Sequence, residues 1–415
     1  MNWQDLHQDS IVIDLHNHSV LKNFLFGRGL SGKKQKFLST IFKRVFWPFS
    51  ERNNFPLMKK GGLDVILSTC YIPEVEWLDD QSLVKFALKL SPATRKRVFD
   101  PTYFDATRAM MDSIEAEIDA YNPTTTKKIV LAKNPKDLKK FLIDGETVMI
   151  HSVEGAHSLQ GELCGKRPED AVALPPLIEN EVLQNLEYLA DRGMAYLTLA
   201  HFYPNQIANP VFPYPEYGIK RGNWEHLMSA WDMNKGLTPL GKKVVKRMLE
   251  LGVLIDVAHC TPKARSEVYE IVGDSKSCVL SSHSGVFEIN RDPYNLEDWE
   301  LKWFAEHECV VGIIFMNYWL SPTDTSLGLK YIEQTMNHMK NTAGSDIIGI
   351  GTDFDGFTDP PDEITDISQL PRITRYLSSL RNGIGSKKYT DEEIKNILGG
   401  NSLRLLLDGW KNERR

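Results

Sequence analysis

Cysteine is scarce and scattered: Cys70, Cys164, Cys260, Cys278 and Cys309 are the five in 415 residues. No two of them form a C-x-x-C pair, which excludes a zinc ribbon and a thioredoxin-type motif, and their spread excludes a disulfide framework. No uninterrupted apolar run approaches the length of roughly 18 residues that a membrane span needs. The opening MNWQDLHQDS lacks the apolar segment of a secretory leader, so a cytoplasmic protein is expected. An excess of positive charge is missing as well. The 49 Lys and Arg stand against 55 Asp and Glu, a formal net charge of −6 that offers no footprint for nucleic acid. With 28 Gly and 21 Pro, collagen-like and low-complexity chains drop out, and 42% apolar with 25% charged residues describes an ordinary globular protein.

What is present is a recurring pattern, a short β-branched apolar run that stops at polar residues. Residues 11–13 run into Asp14-Leu15-His16-Asn17-His18, 63–67 into Ser68-Thr69, and 147–150 into His151-Ser152-Val153-Glu154. Residues 195–199 run into Ala200-His201, 253–257 into Ala258-His259, and 279–280 into Ser281-Ser282-His283. Residues 310–315 run into Met316-Asn317, and 347–350 into Gly351-Thr352-Asp353. Short, unalternating runs of this kind are strands buried on both faces. Helical patterns separate them at 180–190, 238–251, 262–271 and 327–339. In the second, Leu240, Val244, Val245, Met248 and Leu251 recur at spacings of three and four before Gly252 ends it. Eight strands alternating with helices predict an α/β fold, a (β/α)8 TIM-type barrel, with a doubly wound open sheet as the runner-up.

The chain reads as one barrel domain over 1–415, with insertions at about 20–61 and 202–236. The first interleaves Lys33, Lys34, Lys36, Lys43 and Arg44 with Phe37, Phe42, Phe46 and Trp47, which suits an amphipathic helix packed on the barrel or lying at a membrane surface. The second is rich in Pro, Tyr, Trp and Asn, and reads as a pocket wall or lid, or as cover for a hydrophobic edge.

In a parallel barrel the C-terminal strand ends share one mouth. His16, His18, Glu154, His201, His259, His283 and Asp353 therefore converge, although they are dispersed along the chain. Imidazoles with one or two carboxylates are a ligand set for zinc or for Mn, Fe or Co. Five of eleven histidines stand near strand ends, whereas His7, His226, His307 and His338 do not and read as packing or surface residues. His151 faces away from Glu154, and His157 is either structural or a hydrogen-bond partner of the ligands. Glu154 is placed to bridge two ions, with His16 and His18 on one and His259 and His283 on the other, clamping a hydroxide between them. Asp353 is preferred over Asp355 for moving a proton from water to a leaving amine, because it follows its strand directly. His201 is a candidate donor to the oxyanion of a tetrahedral intermediate.

The sequence resembles the membrane (renal) dipeptidase family of zinc metallopeptidases, relatives of the amidohydrolase superfamily. The resemblance rests on VIDLHNH at 12–18, VEGAHSL at 153–159, YLTLAHFYPN at 196–205 and LTPLGKKVVKRMLELGVLIDVAH at 237–259. It continues in VLSSHS at 279–284, INRDPYNL at 289–296, IGTDFDGF at 350–357 and ILGGNSLRLL at 397–406. It implies a binuclear zinc barrel, commonly a homodimer, that hydrolyses dipeptides and often accepts a D-residue at the C-terminal position. Carried over by position, His16, Glu154, His259 and His283 are metal ligands, His201 contacts substrate, and Arg291 pairs with the substrate's α-carboxylate. The family's first strand carries His-x-Asp where this chain has His16-Asn17-His18. That departure keeps a hydrolase of a non-peptide amide, lactam or lactone as the alternative, with a non-enzymatic binding barrel as a third reading.

Overall fold

The computed structural model describes residues 1–32, 51–80, 86, 91–165, 175–212, 231–321, 328–356 and 360–411. Among the described residues there are nine parallel strands: β1 (Ile13–Asn17), β2 (Val65–Cys70), β3 (Ile129–Leu131), β4 (Thr147–Glu154), β5 (Tyr196–Thr198), β6 (Leu254–Asp256), β7 (Val279–Ser284), β8 (Val310–Ile314) and β9 (Ile348–Gly351). Eight of them run β1-β2-β4-β5-β6-β7-β8-β9. The two ends of that sheet meet where His18 N donates to the Phe354 carbonyl and Asp353 N to that of His16, both at 2.9 Å. The result is a nearly closed barrel of the TIM type, as the alternation of runs and helices predicts. Asp14, fully buried, clasps the closure by accepting from Thr352 N and Oγ1 at 2.9 and 2.6 Å. Burial pushes its carboxyl up to about 6, against the pull of these donors.

The expected strands are all found, and several run further than their apolar stretches, β2 through Cys70 among them. β1, β4 and β7 continue through Asn17, Glu154 and Ser284, so His16, Glu154 and His283 are strand residues rather than loop residues. The unexpected β3 pairs with Thr147–Met149 of β4, on the lower part of an edge whose upper part, Val153 and Glu154, pairs with β5. It covers backbone that the short β5 leaves open.

The helices pack outside the barrel for the reasons their spacing suggests. In Pro239–Leu251 the hydroxyl of Thr238 caps Gly241 N, Pro239 fits the first turn, and Gly252 ends the helix at φ +66°. Its predicted face, Leu240, Val244, Val245, Met248 and Leu251, is buried. The other three predicted helices are Pro176–Asp191, Pro262–Val272 and Leu329–Ala343. A nineteen-residue helix, Tyr103–Tyr121, was not anticipated. The amphipathic segment centred on 33–47 lies outside the described residues, as do residues 213–230 of the aromatic insertion. Among the described residues, no helix is long and apolar enough to cross a membrane.

Arg265, fully buried on Pro262–Val272, fixes the loops that follow β6 and β7. Its guanidinium donates to the carbonyls of Cys260 and Pro293 at 2.9 Å and forks onto Glu300 at 2.7 and 2.9 Å. Tyr269 completes the Glu300 shell with a hydroxyl donor at 2.9 Å. Removing one partner of such a pair strands the other charge in a dry interior. Arg265→Met is therefore expected to cost about 3–5 kcal/mol in urea unfolding, and the double variant Arg265→Met/Glu300→Leu to recover most of that.

Candidate active site

Glu154 is the centre of the mouth. It is 1% exposed, and neither carboxylate oxygen accepts a hydrogen bond. Around it stand five ring nitrogens. His16, His259 and His283 place Nε2 at 3.3, 3.3 and 3.4 Å from Oε1. His18 and His201 place theirs at 3.2 and 3.5 Å from Oε2. The strand period explains the first pair: His16 and His18 are two residues apart and face the same way, with Nε2 atoms 3.2 Å apart. The second pair comes from neighbouring elements, His283 in β7 and His259 beyond β6, with Nε2 atoms 3.0 Å apart. His259 holds this place in a left-handed backbone conformation, φ +63°, as does Asp353 at φ +53°. Local strain of this sort persists where a rigid frame over-determines it.

These residues fit divalent cations. A carboxylate withdrawn from water without a donor is costly unless positive charge takes the place of water. Ligands at 2.0–2.1 Å on a tetrahedral ion lie roughly 3.3 Å apart, close to the spacing within each Nε2 pair. Two facing ring nitrogens at this distance can share either one proton or a common cation, and Glu154 between the pairs calls for positive charge. His18 reports the same demand. Burial works against its charge, yet the Asp353 and Glu154 carboxylates hold its pKa up at about 10. Burial pushes His259 and His283 the other way, His283 far below its ordinary value, which leaves neutral rings with ligand lone pairs.

Asp353 completes the circle, with Oδ1 at 3.3 Å from His18 Nε2 and 3.9 Å from His16 Nε2. Its rival Asp355 is committed elsewhere: it binds Lys22 and accepts from the backbone of Arg52 and Asn53. Gly356 makes room for this corner, since a Cβ there would lie 2.1 Å from Asp353 Oδ1 and 2.3 Å from His18 Cδ2. His151 points away to Glu115, and His157 donates from Nε2 to the Ile72 carbonyl at 2.8 Å without touching Glu154. His7 is tied to Thr374 and Gly61, His307 stacks on Trp303, and His338 pairs with Asp298. His226 lies outside the described residues. Arg291 is not brought among these groups. It is exposed on the loop after β7, although its neighbour Asn290 is anchored to the carbonyls of Tyr318 and Trp319. Both of those residues wall the small cavity above Glu154, together with Tyr71, Phe202, Tyr294 and Met316.

Glu74 escaped the sequence reading. Buried beneath Phe202, it accepts from Tyr71 OH at 2.6 Å, Phe202 N at 2.9 Å and His201 Nδ1 at 3.0 Å. Burial alone would raise its pKa; the His201 and His157 rings and these donors hold it down at about 2. The signal was available. The second strand continues past its apolar run, which stops at Leu67, as far as Cys70, so Glu74 stands just past a strand end, where the other site residues stand. Because this carboxylate only accepts, the Nδ1 of His201 carries a proton and its Nε2 faces Glu154 and the cavity. His16 and His283 instead meet hydroxyls at Nδ1: Tyr196 at 2.7 Å and Ser282 at 2.8 Å.

A model of the membrane dipeptidase family, peptidase family M19, matches residues 176–412, more than half of the chain. The chain belongs to the membrane dipeptidase family. Its standing as a metal-dependent dipeptidase, a hydrolase of peptide bonds, follows from that membership. The match includes His201, His259, His283 and Asp353, while His16, His18, Glu74 and Glu154 precede it. Among solved structures, the chain is similar to dipeptidase AC, a metallopeptidase of family M19, at 18% identity and a TM-score of 0.69, covering 97% of this chain and 99% of that one. It is similar to a metallopeptidase from Rhodobacter sphaeroides liganded with a phosphinate mimic of the dipeptide L-Ala-D-Ala, at 18% identity and 0.68, covering 97% and 100%. The probable dipeptidase PvdM from Pseudomonas aeruginosa is 17% identical with a TM-score of 0.69, covering 98% and 97%. At these identities the likeness establishes the fold: the family's members share the barrel found here.

Glu74→Gln is isosteric and removes the charge behind His201. Turnover of dipeptides is expected to fall about 10–100-fold, the range for removing the support of a site residue. Metal content and thermal unfolding should stay as in the wild type. Steady-state kinetics with elemental analysis check this, and loss of metal would instead place His201 among the ligands.

Proposed function

We propose that this member of the family hydrolyses dipeptides, including those ending in a D-residue, with the help of two zinc ions. His16 and His18 would hold one and His259 and His283 the other, with Glu154 as the carboxylate ligand. The observation that carries this reading is the buried Glu154 carboxylate, without a hydrogen-bond donor, between two pairs of facing Nε2 atoms at 3.0 and 3.2 Å. Bound cations of this type supply Lewis acidity, polarising the scissile carbonyl and acidifying water.

The chain's own groups do the rest. Asp353, beside His18, takes the proton of the attacking water and hands it to the leaving amine. His201 donates from Nε2 to the carbonyl oxygen as that atom gains charge, with Glu74 at Nδ1 supporting the doubly protonated ring. Burial opposes that form, but the charges of Glu74 and Glu154 raise its pKa. Tyr71, Phe202, Tyr294, Met316 and Trp319 enclose the substrate's side chains and limit access of bulk water. Arg291, on the loop whose Asn290 anchors to the cavity wall, pairs with the free α-carboxylate, for which a guanidinium fork is well matched. The liganded neighbour, which carries a mimic of L-Ala-D-Ala, supports both the substrate class and the D-residue.

A panel of L-Xaa-L-Xaa and L-Xaa-D-Xaa dipeptides, assayed with and without chelator, tests the reading. Chelator-sensitive cleavage of the panel is expected; cleavage of a lactam or lactone alone would overturn it. Asp353→Asn should keep its metal while turnover falls by at least 10²-fold, as expected for loss of a positioned acid–base group, whereas Glu154→Gln should lose metal outright. Arg291→Ala should raise KM for free dipeptides and leave C-terminally amidated ones unchanged.

A further inference from the structure

One hydroxyl touches both halves of the imidazole cluster. Ser282, fully buried in β7, donates from Oγ to Asp256 Oδ2 at 2.6 Å. Its proton thus committed, the oxygen can only accept from its other neighbours, and these are two ring nitrogens, His283 Nδ1 at 2.8 Å and His16 Nδ1 at 3.2 Å. Asp256 is itself fixed by Ser282 N at 2.8 Å and by the Thr198 hydroxyl, so the serine proton has no other favourable direction. His16 has a second acceptor. Tyr196 OH donates to the Leu15 carbonyl at 3.0 Å and therefore accepts from His16 Nδ1 at 2.7 Å. Thr69 Oγ1 lies at 3.5 Å, the limit of contact. The rings of His16 and His283 stack with centroids 3.8 Å apart, so neither turns without the other.

The hydrogen-bond directions fix chemistry. A proton held on Nδ1 by a neutral acceptor leaves the Nε2 lone pair of each ring free as a ligand and aims it at Glu154. We propose that Ser282 is a shared positioning residue, which holds His16 and His283 together as neutral Nδ1–H tautomers and so readies both cation positions at once. Asp256 acts through it by orienting the hydroxyl. This inference rests on the two-cation reading above.

The test is uptake of metal, read without turnover. Metal-free protein is titrated with Zn2+ in competition with a chromophoric chelator, for wild type, Ser282→Ala, Tyr196→Phe and the double variant. Thermal unfolding of each metal-free protein serves as the check on folding. Ser281→Ala is the control, because the Ser281 hydroxyl meets Ser284 and not the rings. Ser282→Ala is expected to weaken uptake about 10–100-fold, and Tyr196→Phe to weaken it less. The double variant should lose more than the product of the two single effects, because His16 keeps one acceptor in either single variant and loses both in the double. A multiplicative double variant would mean that Ser282 serves His283 alone, and would overturn the shared role. Wild-type uptake by Ser282→Ala would overturn any role, leaving the two-cation reading intact. Fewer than two ions on the wild type would overturn that reading and this inference together.

Discussion

A carboxylate cannot sit in a dry protein interior without something to answer its charge, and Glu154 has no hydrogen-bond donor. Everything around the barrel mouth follows from that. Two strand residues, His16 and His283, and three residues just past strand ends, His18, His201 and His259, bring imidazoles to within 3.2–3.5 Å of its oxygens. The barrel closure that Asp14 clasps keeps β1 beside β9, and so keeps His16 and His18 beside Asp353. The same burial that makes Glu154 costly strengthens every electrostatic interaction it makes, so a site designed around it exchanges stability of the empty protein for affinity toward cations.

Rigidity is built outward from that centre in two kinds of layer. Strand residues, His16, Glu154 and His283, take their direction from the sheet itself. Loop residues, His201, His259 and Asp353, lie two or three positions past a strand end and need separate fastening. The His259 loop is fastened by Arg265 through the Cys260 carbonyl, and Asp353 by its N–H to the His16 carbonyl. His201 is fastened by Glu74. Each fastening is a buried hydrogen bond from a charged group or the backbone, the kind that is expensive to leave unmade.

Much of this was legible in the sequence because it is periodic. Eight apolar runs ending in polar residues give the barrel, and the rule that strand ends share a mouth gathers the histidines without further information. What was not legible has physical reasons. β3 is a three-residue edge strand whose apolar run, Ile129 to Leu131, is too short to stand out. The helix Tyr103–Tyr121, by contrast, buries Tyr103, Ala106, Thr107, Met110, Met111, Ile114 and Ile118, so its apolar face was legible at spacings of three and four and went unread. Glu74 was hidden because β2 outlasts its apolar run by three polar or small residues, and the strand end was placed too early. Nothing in the sequence singles out Asp14 or Asp256, because their partners Thr352 and Ser282 lie far away along the chain. Arg291 shows the opposite limit: a motif can name a residue, but a side chain on an exposed loop is not placed by the sheet.

The charge is distributed unusually for a cluster of this kind. With His18 on the first strand where the resemblance has a carboxylate, Glu154 is the single anion between the two imidazole pairs, and Asp353 touches only the His16–His18 side. Two further buried carboxylates back the rings: Glu74 holds His201 directly, and Asp256 holds Ser282, which meets His16 and His283. An anion in direct contact with a cation neutralises it and blunts its Lewis acidity; an anion placed behind an imidazole raises the basicity of that ring while leaving the cation's charge largely intact. On the proposed reading, cations held here would bind somewhat less tightly and would make their water more acidic. It also concentrates control of affinity in the hydrogen bonds at Nδ1, which is where His16, His283 and His201 differ from His18, whose Nδ1 is buried with no hydrogen-bond partner.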